Sequence, residues 1–467
     1  MTADPAYIDQ VTPELLARHD RAGPRYTSYP TAVEFTAGFT EADWRERLSA
    51  ADARTDEPLS LYVHVPFCAG RCAFCGCHSL GPADGERLDE YLLAVGRELD
   101  LLAAHLPARR RVVQYHWGGG TPTTLGSSRM EALHDRVTRH FRLADDVEAA
   151  VELNPQVTSG EQLSLLREMG FNRLSFGIQD LDAGVLAACG REFDSRRILG
   201  LLDGARQLGY QSLNFDLIYG LPRQTLASFA ATLDRVVALR PDRLAVYSFA
   251  HLPAIRPNQR AIDPDQLPGR NLKFALNALA IRTLLGAGYV QAGMDHFALP
   301  EDDLARAAAA GRLHRNFMGY TVHRAPDMVG VGLSSISSVA GAFAQNHKDL
   351  AAWAAALGAG RFPVERGLGL SEDDLIRQAA ITELMCNFRL DFADLGARFG
   401  IDAGRYFAAE RAALTAADGP AAPGFVTVSG EGLEVTPLGR LFVRNVCMAF
   451  DRYLEKSAGR PAFSRTI

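Results

Sequence analysis

Apolar positions between residues 57 and 251 alternate between short strand-like runs and longer runs of helical spacing. Leu88, Leu92, Val95, Leu99 and Leu102, for example, fall on one helical face. The predicted strands are Leu59–Phe67, Val112–Trp117, Val147–Leu153, Arg173–Ile178, Ser212–Ile218 and Arg243–Phe249. Further helices are predicted over 127–141, 160–169, 195–208 and 226–239. Six strand–helix units in series predict a parallel sheet, with function on the loops at the carboxyl ends of its strands.

The segments on either side of this series have different patterns. Residues 1–55 show weak periodicity, and the closely spaced aromatics and prolines of Pro24–Thr31 indicate an ordered arm. A long helix is predicted over 271–287, followed by mixed segments to about 365. The last hundred residues predict helices near 372–386, 391–399, 402–415 and 438–454, with strands Phe425–Val428 and Leu433–Thr436. We therefore expect an arm (1–55), a barrel domain with an extension (56–365) and a helical covering domain (366–467).

Composition is that of a globular protein: 47% of the 467 residues are hydrophobic and 22% are charged. No apolar run reaches the roughly 18 residues typical of a membrane span. The polar, acidic start Met1–Pro5 lacks the features of a secretion signal, so a cytoplasmic location is expected. Three helices and a hairpin near the carboxyl end resemble a winged helix. The net charge of −6 and the absence of Lys and Arg from 424–437 nevertheless argue against nucleic acid as a partner.

Four of the seven cysteines lie between Cys68 and Cys77. An odd number of cysteines argues against a disulfide framework, and clustering in a reducing compartment indicates metal or redox chemistry. The remaining cysteines are expected to be small buried residues. They are Cys189, Cys386 and Cys447.

Cys68, Cys72 and Cys75 follow the spacing C-x3-C-x2-C directly after the first predicted strand. Three thiolates on one short loop can bind three irons of a [4Fe–4S] cluster and leave the fourth iron open to a small molecule. The alternative is a structural zinc site with Cys77 as its fourth ligand, but zinc sites more often use two separated C-x2-C pairs. The spacing is the signature of the radical S-adenosylmethionine (SAM) superfamily.

The second and third predicted strands end in residues suited to binding SAM at the open iron. Gly118, Gly119 and Gly120 let backbone groups approach a ligand without interference from a Cβ atom, although a glycine run alone is more often a turn. Glu152 ends the third strand, where its carboxylate can accept hydrogen bonds from a ribose diol. In isolation Glu152 would be interpreted as a solvated loop residue.

Motifs along nearly the whole chain resemble those of the oxygen-independent coproporphyrinogen III oxidase family. They include Pro24–Thr31, the cysteine loop ending in C-x-C, Trp117–Thr121, 171–175, 177–180, Asn214–Pro222, 250–253, 293–297, 314–317, 386–390 and 444–447. The resemblance implies an α/β fold: a partial (β/α)6 radical-SAM barrel with an N-terminal arm and a mainly helical, winged-helix-like C-terminal domain.

The resemblance also implies a [4Fe–4S] cluster on Cys68, Cys72 and Cys75 and two SAM molecules. The expected contacts of the first SAM are Tyr62, Phe74, Gly119, Glu152 and Ile336. Those of the second are Gly120, Thr121, Gln179, Arg191, Asp216 and Ala250. For Arg191 a surface salt bridge is the alternative. Met318 stands where the family pattern suggests glutamine, and Asn154 where aspartate seems commoner; the role of Cys77 stays open.

The implied reaction is oxidative decarboxylation of two propionates of coproporphyrinogen III to vinyl groups by a 5′-deoxyadenosyl radical, a coproporphyrinogen dehydrogenase activity in haem biosynthesis. Arg25, Arg256 and Arg315 are candidate partners of the substrate carboxylates. A low-potential donor of flavodoxin or ferredoxin type is implied as the source of electrons, and a monomer is expected to suffice. Arm and covering domain are expected to close the cavity against water and oxygen.

A haem chaperone built on the radical-SAM fold is the rival interpretation, because it shares the C-x3-C-x2-C loop. Three features favour the oxidase. They are the arm Pro24–Thr31, the C-x-C ending at Cys77, and the carboxyl-terminal motifs around Cys386 and Cys447.

Overall fold

The computed structural model describes residues 5–191, 194–454 and 463–466. Its strands are β1 (Leu59–Val65), β2 (Arg111–Gly119), β3 (Arg142–Leu153), β4 (Arg173–Gln179), β5 (Ser212–Tyr219), β6 (Arg243–Ser248), β7 (Val290–Ala292), β8 (His296–Ala298), β9 (His314–Asn316), β10 (Gly319–Thr321), β11 (Asp327–Val331), β12 (Ile336–Val339), β13 (Ala342–Asn346), β14 (Val364–Gly369), β15 (Arg389–Asp391), β16 (Val426–Val428) and β17 (Gly432–Val435).

Helices connect most of these strands. They are α1 (Pro13–His19), α2 (Glu41–Asp52), α3 (Gly85–His105), α4 (Ser127–His140), α5 (Gly160–Glu168), α6 (Ala183–Ala188), α7 (Ser195–Gln207), α8 (Leu226–Leu239), α9 (Arg270–Gly286), α10 (Asp303–Ala309), α11 (Leu350–Gly358), α12 (Glu372–Asn387), α13 (Phe392–Phe399), α14 (Ala403–Tyr406), α15 (Ala408–Thr415), α16 (Pro437–Arg440) and α17 (Val443–Cys447). Among the described residues no helix combines the length and apolar character needed to span a membrane.

The chain forms two compact units. The first unit contains Met1–Glu34, Leu217–Val322 and Ser371–Ile467, and the second unit contains Phe35–Asp216 and His323–Leu370. Strands of the second unit follow the order β14-β13-β12-β11-β1-β2-β3-β4-β5, and those of the first unit include the order β6-β8-β7. Strand β5 begins in the second unit and ends in the first.

Parallel pairing in the second unit runs from β11 through β1, β2 and β3 to β4. Six of the seven residues of β1 are buried, as expected for a strand covered on both faces. The predicted apolar face of α3 is buried as well: Leu88, Leu92, Val95, Leu99 and Leu102 are at most 6% exposed. The predicted strand–helix series is therefore confirmed, and it brings the loops after β1, β2 and β3 to one edge of the sheet.

The first unit combines an antiparallel β6-β8-β7 ribbon with the three-stranded sheet β15-β17-β16. The predicted carboxyl-terminal hairpin is confirmed, because β16 and β17 pair antiparallel with Val428 opposite Leu433. The amino-terminal arm packs on helices of this unit. Arg444 donates to the carbonyl oxygens of Gly23 and Pro24, and the Tyr26 hydroxyl donates to Asp451 Oδ2 over 3.0 Å.

Two predicted helices are wrong as continuous elements. The predicted helix 402–415 is divided at Phe407 into α14 and α15. The predicted helix 438–454 is divided into α16, α17 and the 3₁₀ turn Met448–Phe450. Gly439, inside α16, packs closely on the hairpin, because a Cβ atom there would lie 1.8 Å from the Phe425 carbonyl oxygen. Close packing on the hairpin therefore fixes the backbone at α16, whereas the apolar pattern alone would continue the helix.

Candidate active site

The cysteine loop emerges from the carboxyl end of β1 and is closed by backbone hydrogen bonds. Phe67 and Leu80 form a parallel bridge; Cys68 N donates to Leu80 O over 3.1 Å, and Leu80 N donates to Pro66 O over 2.7 Å. Inside the loop, Cys75 N donates to Cys72 O over 3.2 Å. The polypeptide thus holds the loop by its own main chain, with its ends fixed side by side.

Polar groups from two other strand ends reach the cysteine sulfurs. Thr121 Oγ1 lies 3.8 Å from Cys68 Sγ, and Arg191 Nη1 lies 3.4 Å from Cys72 Sγ. Cys68, Cys72 and Cys75 are partly buried, whereas Cys77 is exposed. Donors directed at sulfur stabilise the thiolate, which is the form that binds iron.

Local hydrogen bonds and burial shift the thiols in opposite directions. Hydrogen bonds from Cys77, with further help from Ser79 and Arg71, lower the pKa of the Cys75 thiol to about 6 against the effect of burial. Burial raises the pKa of Cys68, and the Thr121 hydroxyl opposes that rise. Cys75 is therefore largely a thiolate at neutral pH, ready to ligate iron, and Cys77 acquires a role in tuning its neighbour.

The donor set of this loop fits a cubane cluster. Within the described residues no three His, Cys, Asp or Glu side chains converge in the arrangement of a single-ion site. Ligands of a cubane bind three different irons, so their sulfurs lie further apart than the ligands of one ion. Three partly buried thiols on one loop, two of them next to hydrogen-bond donors, would ligate three irons and leave the fourth open.

The glycine run at the end of β2 approaches its neighbours too closely for any side chain. A Cβ atom at position 118 would lie 2.8 Å from the Glu152 carboxyl carbon, and one at 119 would lie 2.5 Å from the His64 ring. At 120 it would lie 2.6 Å from the Pro66 and Phe67 backbone. Gly119 also has φ +109, a conformation that favours glycine. Gly119 and Gly120 are therefore required by the backbone of the site, whereas a side chain at 118 would displace the Glu152 carboxylate.

Glu152 ends β3 beside this run and is held by two groups of β2. Its Oε2 accepts from Gly119 N over 3.1 Å, and its Oε1 lies 3.3 Å from His116 Nε2. Burial raises its pKa, but the hydrogen bond and charge of His116 and the Gly119 N–H outweigh that effect and lower it. The carboxylate is thus ionised at neutral pH, and 41% of the side chain stays exposed to accept further hydrogen bonds.

Tyr62 and His64 lie on the same face of β1, two residues apart. His64 Nε2 is 2.9 Å from the His78 carbonyl oxygen, so this nitrogen carries a proton and Nδ1 accepts from the Tyr62 hydroxyl over 3.0 Å. Burial lowers the pKa of His64 to about 4, which keeps the ring neutral. The Tyr62 ring stacks on His116 with centroids 5.8 Å apart. These contacts orient the strand end beneath the glycine run.

Arg191 bridges the ends of β3 and β4 to the cysteine loop. Its Nη2 donates to Asn154 Oδ1 over 3.1 Å and to the Gly177 carbonyl oxygen, while Nη1 faces Cys72. The interpretation of Arg191 as a surface salt bridge is not favoured by these contacts. Gln179, which has φ +69, lies next to Gly177, where an added Cβ would be 3.0 Å from Gln179 Nε2.

The other predicted contact residues are more dispersed. Phe74 is buried within the cysteine loop. Asp216, in β5, accepts from Ser175 Oγ and Asn214 Nδ2 over 3.0 Å each. Ile336 begins β12 and is half-buried. Ala250 follows β6 in the first unit, and its carbonyl oxygen accepts from Gln259 Nε2. The cysteine loop thus contacts Thr121 and Arg191 directly, and it is connected through His64 and Gly119 to Glu152.

The predicted carboxylate partners lie in the first unit. Arg25 donates to the Ser248 carbonyl oxygen, Arg315 donates to the Arg25 carbonyl oxygen over 3.1 Å, and Arg256 is half-buried in the loop after β6. Met318 follows β9, where its backbone N–H donates to Asn316 Oδ1 over 2.9 Å. Its side chain is half-buried.

Two residues of the site are absent from the sequence-based set: His64 and His116. His64 supports Gly119 from below, and His116 holds Glu152. Side chains two apart on a strand share a face, so Tyr62 predicts the position of His64, and Gly118 predicts that of His116. The alternation of side chains along each strand thus predicts the face on which each histidine lies. The pairing of His116 with Glu152 also requires knowledge of the β2–β3 register.

Known proteins share both the sequence and this architecture. Residues 62–236 match the radical SAM superfamily, and residues 370–442 match the HemN C-terminal domain. The chain is 42% identical to the oxygen-independent coproporphyrinogen III oxidase of Pseudomonas aeruginosa and 43% identical to that of Escherichia coli. Each alignment covers 97% of this chain and 98% of the relative.

A solved structure agrees with these relatives. It is that of the Escherichia coli coproporphyrinogen III oxidase HemN, described as a radical SAM enzyme. That structure matches with a TM-score of 0.88 at 42% identity, over 92% of this chain and 97% of the other. Similarity of this extent over both chains, together with the cysteine loop, gives the family: the chain belongs to the oxygen-independent coproporphyrinogen III oxidases of the radical SAM superfamily.

Proposed function

We propose that this enzyme decarboxylates two propionates of coproporphyrinogen III to vinyl groups without oxygen, giving protoporphyrinogen IX in haem biosynthesis. For each propionate, a hydrogen atom leaves the carbon β to the carboxylate, CO₂ is released, and one electron passes to an acceptor. The observation that carries the proposal is 42% identity to a named oxidase over 97% of the chain, which includes the cysteine loop and the carboxyl-terminal segment.

Cys68, Cys72 and Cys75 hold the [4Fe–4S] cluster in this proposal. When bound, the reduced cluster and SAM supply the one-electron chemistry that removes the hydrogen atom from the propionate. The polypeptide contributes the thiolates, with Thr121 and Arg191 directed at two of them. The lowered pKa of Cys75 favours its ligand form at neutral pH.

We assign the first SAM to the end of β1, the glycine run and the end of β3. Glu152 is ionised and exposed enough to accept hydrogen bonds from a ribose diol. Gly119 leaves room for a ligand to approach the backbone. The full set assigned to this molecule is Tyr62, Phe74, Gly119, Glu152 and Ile336.

The second SAM is assigned to residues in or after β2, β4, β5 and β6. Arg191 is suited to a methionine carboxylate, because a charge-assisted hydrogen bond of this kind is worth about 1.5–3 kcal/mol when desolvated. The set assigned to this molecule is Gly120, Thr121, Gln179, Arg191, Asp216 and Ala250. Arg25, Arg256 and Arg315 are proposed as partners of the substrate carboxylates.

The enzyme is further proposed to work as a cytoplasmic monomer supplied by a low-potential donor of flavodoxin or ferredoxin type. All seven cysteines are free thiols, which is usual in a reducing compartment. A single electron is needed for each cleavage of SAM, and small one-electron carriers of low potential are the class of protein that delivers it.

Anaerobic turnover tests the proposed reaction. The protein is purified without oxygen, reconstituted with iron and sulfide, and supplied with reductant, SAM and coproporphyrinogen III. Two successive losses of CO₂, detected by mass spectrometry together with 5′-deoxyadenosine, are expected from wild type and not from Cys68→Ala. Cys386→Ala is the matched control, because Cys386 is buried outside the loop and should leave turnover intact.

Cleavage of SAM without decarboxylation would mean that the enzyme acts on a substrate other than coproporphyrinogen III. Tight haem binding without turnover would favour the haem-chaperone alternative, whereas the relatives reported above are oxidases.

A further inference from the structure

Three arginines of the first unit line one cavity of about 50 Å³, next to the ends of β5 and β6. They are Arg25 from the arm, Arg440 from α16 and Arg444 from α17. Tyr219, Ser248 and Asp295 contribute polar atoms to the same lining. The space is enough for a carboxylate group with one or two water molecules.

The positive charges of these arginines are only partly balanced within the described part of the chain: Glu434 acts on Arg440 and Asp295 acts on Arg25, but neither forms a direct ion pair with its arginine. No carboxylate oxygen of a described residue lies within 4 Å of Arg25, Arg440 or Arg444 among the ion pairs recorded. Arg25 donates to a carbonyl oxygen of Ser248, and Arg444 donates to the carbonyl oxygens of 23, 24, 464 and 465. Arg440 Nε is buried without a hydrogen-bond partner.

Two further cations stand behind the lining. Lys273 Nζ donates to the Phe249 carbonyl oxygen over 2.8 Å, and Arg315 donates to the Arg25 carbonyl oxygen. Burial, followed by the charge of Arg25, lowers the pKa of Lys273 to about 8 and that of Arg444 to about 9. Neighbouring positive charge adds to the effect of burial at both residues, and at Lys273 the charge of Asp20 offsets it only in part.

Two carboxylates near the three arginines already have other partners. Asp295 Oδ1 lies 2.7 Å from His296 Nδ1, and Asp20 Oδ2 accepts from Arg270 and Arg465. Asp295 is a single carboxylate in a cavity lined by three arginines. Buried charges are normally paired, so the cavity retains an excess of positive charge that an anionic ligand would neutralise.

We propose that the cavity lined by Arg25, Arg440 and Arg444 binds a propionate carboxylate of the tetrapyrrole substrate. This inference rests on the proposed function and deepens it: Arg440, Arg444 and Lys273 join Arg25 in one anion site. A planar guanidinium can grip a carboxylate with two parallel hydrogen bonds, and three of them around a small cavity select a ligand that carries such groups.

Binding of coproporphyrin III, the oxidised and unreactive tetracarboxylate, tests the site by fluorescence titration without turnover. Its tetramethyl ester serves as the probe with the same ring and no charge. Wild type should prefer the acid. Arg440→Met and Arg25→Met should each weaken binding of the acid about 10- to 100-fold and leave the affinity for the ester unchanged. Arg440→Lys keeps the charge but not the two parallel hydrogen bonds, so its affinity for the acid should lie between those of Arg440→Met and wild type.

The matched control is Arg282→Met, which removes an exposed arginine of α9 paired with Asp9 and should change neither affinity. Arg440 donates no hydrogen bond to the described residues, but its guanidinium lies 4.5 Å from the centre of the Phe388 ring; Arg440→Met keeps an apolar contact with that ring and avoids the folding role that Arg444 has through its carbonyl contacts. Circular dichroism establishes that each variant is folded.

Three results would overturn the inference: equal affinity of wild type for acid and ester, unchanged affinity of both variants for the acid, or a loss of SAM affinity in place of porphyrin affinity. The last result would assign the carboxylate to methionine. Turnover is measured separately. An arginine-dependent preference for the acid without any decarboxylation refutes the proposed function, whereas turnover without that dependence refutes only the site.

Discussion

Gly119 shows at the scale of a single residue how tightly the site is built. Glycine is favoured here for two independent reasons. The φ of Gly119 is +109, and an added Cβ would lie only 2.5 Å from the His64 ring. Only the first reason applies to Gly126, because its φ is +75 and nothing lies within 4 Å of an added Cβ.

Gly119→Ala is therefore expected to lose SAM binding and to destabilise the protein by more than the matched variant Gly126→Ala. The latter should cost only the backbone strain of about 1–2 kcal/mol. Thermal unfolding and equilibrium dialysis of SAM measure the two effects. Equal losses in both variants would show that the steric contact with His64 is unimportant.

The sequence predicted well those parts of the site that depend on particular residue types at fixed spacing. The cysteine spacing and the glycine run both mark backbone features that only those residues allow, and the structure places them side by side. The orientation of Glu152 could not be predicted, because it depends on His116 and on the backbone N–H of Gly119, both on a neighbouring strand.

At the scale of an element, α3 supports the turn that follows β11. Its Glu98 is 2% exposed and accepts from Gly332 N over 2.9 Å and from Asn346 Nδ2 over 2.6 Å. Gly332 has φ +100, and an added Cβ would lie 2.6 Å from the His64 carbonyl oxygen. The carboxyl group thus fixes a turn that packs directly on β1.

Burial raises the pKa of Glu98 to about 8 in the folded protein, against about 4.3 in the unfolded chain. Below pH 4 the group is protonated in both states. Between pH 5 and pH 8 only the folded state keeps the proton, so the free energy of unfolding falls as pH rises, by up to about 1.4 kcal/mol per pH unit.

Glu98→Gln removes this dependence and should gain stability relative to wild type between pH 5 and pH 8. Urea unfolding at several pH values measures the difference, with Glu90→Gln on the exposed face of the same helix as control. A constant difference between Glu98→Gln and wild type across this range would contradict the prediction.

Elements of strong periodicity were predicted to within a few residues, as α4 and α8 illustrate. Strands β7 to β14 were missed, because segments of three to six residues carry too little periodicity to be told from loops. The breaks at Phe407 and after Arg440 carry no Gly or Pro at those positions, so the apolar pattern alone predicts continuous helices there.

At the scale of the whole molecule, the arm of the first unit is an integral part of its core. Arg444 is 4% exposed, and its hydrogen bonds go to carbonyl oxygens of residues 23 and 24 and of residues 464 and 465. Tyr29 O accepts from Gln378 Nε2 over 2.7 Å, which ties the arm to α12 as well.

Removal of residues 1–34 should therefore accelerate amide hydrogen exchange in α12 and α17, because Arg444 loses two acceptors within a buried environment. Strands β1, β2 and β3 belong to the second unit and should keep their protection. Unchanged exchange in α17 would mean that the arm contributes nothing to the stability of this unit.

Pairing between distant segments was beyond prediction. Strand β11 lies parallel to β1, with Leu59 opposite Asp327, although these residues are far apart in the chain. The division into domains at residues 55 and 365 stays a prediction. The compact units instead join residues 1–34 with 217–322 and 371–467.

The backbone closure of the cysteine loop has a consequence for the lifetime of the enzyme. Because Cys68 and Leu80 are joined by main-chain hydrogen bonds, the entropy of closing the loop is lost when the polypeptide folds, not when iron arrives. Destruction of the cluster by oxygen should thus leave the cysteine loop folded in its cluster-binding conformation. An enzyme damaged in air is then repairable in place by new iron and sulfide, with no need for synthesis of another chain.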